Sequence, residues 1–124
     1  MLPKLTPQEQ QAMTAIWKIR EGNIKMILDN IDSKPKPPYT TLASTIKNLE
    51  KKGYLTSRPL GNMNLYKPAV AEREFTDRSL ATLVKEHFDN SYKDLVAFFA
   101  EQKKISPKEL KEIIQLIENK KAKQ

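Results

Sequence analysis

The feature that most constrains this chain is a change of hydrophobic period at Gly53. Before it, apolar residues recur at helical spacing. From Tyr54 to Pro68 they lie in two short runs of strand-favouring residues around Gly61-Asn62, and after Ala71 the helical period returns. Helix, helix, helix, hairpin and then helices again is a mainly α order with one small β-hairpin.

The segment LTPQEQQAMTAIWKIREGN predicts the first helix. Thr6 is a good N-cap, Pro7 suits the first helical position and Glu9 completes a capping box. Ala12, Met13, Ile16 and Trp17 share one face, and Gly22 or Asn23 ends the helix. Trp17 reads as a core anchor, with an exposed binding role as the alternative. Asn23 caps a short second helix that turns Ile24, Ile27, Leu28 and Ile31 inward, and SKPKPPYT follows as an extended linker. The third helix starts at Tyr39 or Thr40 and stops at Gly53, a left-handed C′ residue. Leu42, Ile46 and Leu49 form its narrow apolar stripe.

The opposite face of that third helix carries Thr40, Thr41, Ser44, Thr45, Lys47, Asn48 and Lys51. A merely solvated helix would use better helix formers than β-branched threonine. Short hydroxyl side chains can approach bases and phosphates closely, while lysines supply charge. Tyr54, Leu55 and Thr56 then pair with Leu65 and Tyr66 across the PLGNM turn. This is the order of a winged helix-turn-helix domain, in which the third helix enters the major groove and the hairpin is the wing.

Charge follows the same division. The 124 residues carry 22 Lys+Arg against 15 Asp+Glu, a formal charge of +7. Up to Val70 the counts are 11 and 5, a balance of +6; from Ala71 onward they are 11 and 10, a balance of +1. A polyanion is the natural partner of the basic half, and a solvated lysine-rich surface is the plainer reading. With no cysteine, disulfides, zinc clusters, iron–sulfur centres and thiol catalysis are excluded; the single histidine, His87, leaves almost nothing for imidazole-based metal or acid–base sites, and no cofactor is expected. The carboxylates lie scattered on amphipathic helices, which argues against an enzyme. No apolar run approaches a membrane span and no signal-peptide pattern follows Met1, so a cytoplasmic protein without membrane insertion is expected.

After residue 70 three more amphipathic helices are expected, with Ser91 capping the second and the cap–proline–glutamate signature recurring at Ser106, Pro107 and Glu109. Their apolar residues include Phe75, Leu83, Phe88, Leu95, Phe98, Phe99, Ile113 and Ile117. About 50 residues without disulfides or metal bury such faces poorly alone, so these residues are expected to form a homodimer; packing against the first half is the alternative. The expected domains are 1–70, a winged helix-turn-helix DNA-binding domain, and 71–124, a helical dimerisation arm.

LTPQE…AMTAIW, TTLASTIKNLEKKGYL, LYKP and DLVAFFAEQKKISPKELKEIIQLIE occur in an order that resembles the penicillinase repressor family of bacterial transcriptional regulators. The resemblance runs from Leu5 to about Lys120. It implies a homodimeric winged-helix repressor on a palindromic operator, answering a membrane-bound sensor metalloprotease that cuts the dimerisation arm. Thr41 and Ser44 fall at the family's threonine positions, and Lys51, Lys52 and Gly53 match its K-K-G. Asn48 stands where arginine is usual, and Gly61-Asn62 where Gly-Arg is common. The cut in penicillin-responsive members falls between Asn and Phe; the corresponding pair here is Phe98-Phe99. The copper-responsive branch needs a cysteine-rich tail and is excluded.

The expected interface follows from both readings. Lys25, Lys47, Lys51 and Arg58 hold phosphates, Thr40, Thr41, Ser44 and Thr45 touch base edges or thymine methyls, and Asn48 and Asn62 stand on the same helix and wing. A basic module that docks an acidic partner protein without DNA is the competing class. An RNA reader is disfavoured because Trp17, Tyr39, Tyr54 and Tyr66 sit mostly in core-like positions.

Overall fold

Caps set most of the helix starts. In the computed structural model, which describes residues 2–122, Thr6 Oγ1 accepts the Glu9 amide at 3.2 Å and Glu9 Oε1 accepts the Thr6 amide at 2.8 Å. This reciprocal box opens α1 (Pro7–Ile19). Asn23 caps α2 (Ile24–Asp29), accepting the Met26 amide at 2.9 Å. The Pro-rich linker then leads to α3 (Tyr39–Lys51), whose N-cap Pro38 offers no side-chain acceptor.

α1 ends three residues before the expected stop. Arg20 takes a left-handed φ of +72° and breaks the helix after Ile19. The released chain uses Gly22 to exchange two backbone hydrogen bonds with Tyr66, of 3.0 and 2.9 Å. The hairpin of β1 (Leu55–Leu60) and β2 (Met63–Pro68) is thereby tied to the end of α1. Its register pairs Leu55 with Pro68 and Leu60 with Met63, leaving the two-residue turn Gly61-Asn62 with Gly61 at φ +60°.

α3 closes in a Schellman motif. The Tyr54 amide donates to the Leu49 carbonyl at 3.0 Å and the Gly53 amide to the Glu50 carbonyl at 3.1 Å, with Gly53 at φ +85°. A Cβ at Gly53 would meet nothing within 4 Å, so only backbone strain opposes a side chain there. Gly53→Ala is expected to cost about 1–2 kcal/mol, read from urea denaturation.

The core lies where α1, α2 and α3 meet the hairpin. Ala12, Met13 and Ile16 of α1, Ile27 of α2, and Leu42, Ile46 and Leu49 of α3 are buried with Tyr54, Leu55, Tyr66 and Val70. The spacing-four-and-three stripe of α3 therefore packs inward, as its pattern requires. Trp17 is an anchor at the edge of this core: its indole N–H donates to the Val70 carbonyl at 2.9 Å, and its ring centroid lies 5.4 Å from Phe75.

The remaining helices are α4 (Glu72–His87), α5 (Tyr92–Glu101) and α6 (Pro107–Ala122). Ser91 caps α5, accepting the Asp94 amide at 3.0 Å. Ser106 and Glu109 build a second capping box, with bonds of 3.0 and 3.1 Å. The chain divides into two units, Met1–Thr76 and Asp77–Gln124. Within the second, Val84 is buried and the Phe88 and Phe98 rings stand edge-on at 5.8 Å.

Candidate nucleic-acid interface

With Leu42, Ile46 and Leu49 committed to the core, α3 leaves its polar face outside. Thr40, Thr41, Ser44, Lys47, Asn48 and Lys51 are exposed, and Thr45 is half-buried. Thr45 differs from the others in a second way, since its hydroxyl already donates to the Thr41 carbonyl at 3.0 Å. The face is a row of short hydroxyls and amides flanked by two ammonium groups.

An open groove runs between this helix, the start of α2 and the wing. Lys25, Lys47 and Asn62, three residues singled out from the sequence, line it together. Tyr39, Ala43 and Met63 line it as well, and none of these was expected there. Tyr39 in particular is 52% exposed and stands outside the core, unlike the buried Tyr54 and Tyr66. The sequence signal for Tyr39 and Ala43 was their spacing of four on the polar side of the Leu42 stripe.

Arg58 is placed elsewhere on the hairpin. Its guanidinium donates from Nε and Nη2 to the two carboxylate oxygens of Glu21, at 3.2 and 3.1 Å. This hydrogen-bonded pair raises the arginine's pKa above its ordinary value and lowers that of Glu21. Part of the charge expected for phosphate is thus shared with a carboxylate at the end of α1.

Lys52, next to the exposed Lys51, is a structural lysine. Its ammonium lies 2.6 Å from Glu9 Oε1 and donates to the Lys4 carbonyl at 3.0 Å. Burial alone would raise the Glu9 carboxyl, but the Lys52 ammonium and the Thr6 amide outweigh it and hold the pKa below the ordinary 4.5. Because the folded value lies below the unfolded one, the stabilisation is fully present above about pH 4.5 and is lost as pH falls through the folded value. Glu9→Gln is expected to cost about 1–3 kcal/mol at pH 7. Denaturation at pH 3 should show a smaller difference between the two proteins than at pH 7.

Of the residues expected at a dimer contact, Leu83, Phe98, Phe99, Ile113 and Ile117 are exposed, and Phe88 and Leu95 are half-buried. Phe75 differs. Its ring packs against Trp17 and, at 6.2 Å, edge-on to Tyr54, so this half-buried residue has partners inside the first unit. Leu116, at 67% the most exposed large hydrophobic residue among those described, was not singled out from the sequence. Phe98 and Phe99 lie in the last turn of α5.

Among the described residues no cluster of His, Asp or Glu could hold a metal ion, and no helix is long and apolar enough to cross a membrane.

Comparison with known proteins agrees with this architecture. The family model described as penicillinase repressor matches residues 5–119. The penicillinase repressor of Bacillus licheniformis is 21% identical over 117 residues, covering 94% of this chain and 91% of the relative. Two solved structures are similar at 23% identity, each covering 60% of this chain and 90% of its own. One is the DNA-binding domain of the repressor BlaI, with a TM-score of 0.52. The other is the monomeric form of Bacillus licheniformis BlaI in complex with the blaP half-operator, with a TM-score of 0.50. The fold shared with them is the winged helix, here α1–α3 with the β1–β2 wing. A match from Leu5 to Asn119 spans both units, and this chain belongs to the penicillinase repressor family.

Proposed function

We propose that the chain is a transcriptional repressor that binds a palindromic operator as a homodimer in the cytoplasm. Residues 1–70 read the duplex and residues 71–124 join two copies. The observation that carries this reading is the outer face of α3, where hydroxyls, an amide and two lysines are exposed on a winged helix and none of them is needed by the core. The similar BlaI structure on a half-operator supports double-stranded DNA as the partner. The family is one of repressors, not enzymes, and no catalytic residue is assigned.

In this reading α3 enters the major groove. Lys47, Lys51 and Lys25 hold phosphates, with Arg58 joining them from its Glu21 pair. Thr40, Thr41 and Ser44 face base edges, with Asn48 one turn further and Asn62 on the wing. Two copies then occupy successive major grooves about one helical turn apart, covering a promoter. Thr41→Ala should relax base preference at one operator position and leave the salt dependence of binding unchanged. Profiling the variant on a library of single-base operator changes checks this, and an unaltered preference removes Thr41 from the reading face.

The dimer is supported by the second unit's surface. Val84 is its one fully buried hydrophobic side chain among the described residues, while Leu83, Phe98, Phe99, Ile113 and Ile117 are exposed. Relief of repression by a membrane-bound sensor metalloprotease, carried over from the family, would act at Phe98-Phe99. Both residues are helical, so cutting there requires α5 to open locally first.

A further inference from the structure

Tyr39, Ala43 and Lys47 are spaced by four along α3 and form one row on its surface. The row faces the open groove, with Met63 of the wing and Lys25 of α2 across from it. Its middle member is the smallest, so the row has a notch at Ala43 between two long side chains. Tyr39 is 52% and Met63 50% exposed, so two large apolar groups are presented to solvent beside two ammonium groups. Asn23, the cap of α2, donates its side-chain amide to Met63 Sδ at 3.2 Å and ties the methionine to that helix.

The two halves of this surface ask for different things from one ligand. Lys25 and Lys47 supply the charge complementarity that selects a polyanion. Ala43, Met63 and the Tyr39 ring carry no charge to neutralise a phosphate, and an apolar surface beside a polyanion needs an apolar partner. In the major groove of duplex DNA the one apolar group on a base edge is the thymine 5-methyl, and alanine and aromatic side chains are suitable contacts for it.

Resting on the operator-binding reading, we propose that Tyr39, Ala43 and Met63 form an apolar contact that selects a thymine in each half-site through its 5-methyl group. This contact lies outside the hydroxyl face and adds a specificity determinant at the amino-terminal end of the recognition helix. It is insensitive to ionic strength, because no counterion is released when a methyl group is covered.

The test uses the full chain and a duplex selected by it from random DNA, with each thymine replaced in turn by deoxyuridine, which removes only the methyl. Binding is read by fluorescence anisotropy at several salt concentrations. Wild type should lose about four-fold per half-site at one thymine. Tyr39→Ala should bind thymine and deoxyuridine equally there, with an unchanged salt slope, and Tyr39→Phe should keep the discrimination. Thermal unfolding of each variant verifies that the exposed substitution leaves the fold intact. The inference is overturned if wild type ignores every deoxyuridine, if Tyr39→Ala still discriminates, or if Tyr39→Phe loses the discrimination, which would place the effect in the hydroxyl and not in the ring. If wild type selects no duplex at all, the operator reading itself fails and the contact falls with it.

Discussion

Replacing both Lys47 and Lys51 by alanine should lower the affinity for duplex DNA by about 100-fold per half-site at low salt. Both ammonium groups are exposed on α3, and no hydrogen bond or ion pair engages either of them within the chain's described contacts. Each phosphate contact removed takes about 0.9 from the slope of log affinity against log salt, so the double variant should lose roughly two units per half-site. Specific and random duplexes should weaken by similar factors, because phosphates carry no sequence information. Core packing is untouched, and the thermal midpoint should stay within about a degree or two of wild type. A slope that does not change would remove both lysines from the phosphate set.

The second large effect concerns assembly. Ile113 and Ile117 lie four apart on α6 and are 44% and 52% exposed, so one row of that helix presents two branched apolar side chains to water. If the proposed dimer forms through this row, Ile113→Asp combined with Ile117→Asp should leave a monomer where wild type is a dimer, read by sedimentation or size-exclusion at micromolar concentration. Placing carboxylates in a desolvated contact is strongly unfavourable, whereas on a free helix surface they cost little. Operator affinity should then fall by about 100- to 1,000-fold, because the second half-site is no longer delivered at high effective concentration. The unfolding transition of the first unit should persist, since its core does not include α6.

Much of the local structure was legible in the sequence because its causes are local. Thr6 with Glu9 and Ser106 with Glu109 are three residues apart, and both became reciprocal capping boxes. Gly53 stopped α3 for the reason its position implied, a left-handed backbone that glycine adopts freely. The hairpin turn at Gly61-Asn62 follows the same logic.

What was not legible depends on residues far apart in the chain. The bridge of Gly22 to Tyr66 joins positions more than forty apart, and it rests on Arg20 adopting a backbone angle that arginine does not favour. The Glu9–Lys52 pair is similarly remote. It makes Lys52, to which the sequence assigned no role beyond the K-K-G match, a tie between α1 and the end of α3. Phe75 shows the same limit from the other side: its place on a helical stripe was read correctly, but periodicity alone cannot say whether that stripe meets Trp17 and Tyr54 or another copy of the chain. On α3 the pattern separated core from surface well. It did not separate the hydroxyl face from the adjoining Tyr39–Ala43–Lys47 row, because which part of an exposed surface borders a groove is decided by where the wing lies.

Selection from random double-stranded DNA shows whether α3 of two copies reads one duplex. The full chain is incubated with a random-sequence pool at moderate salt, and bound duplexes are amplified and sequenced over several rounds. Two copies on one duplex should enrich an inverted repeat whose half-site centres lie about one helical turn apart or slightly more. A pool that remains random, or an enriched site without two-fold symmetry, would contradict it.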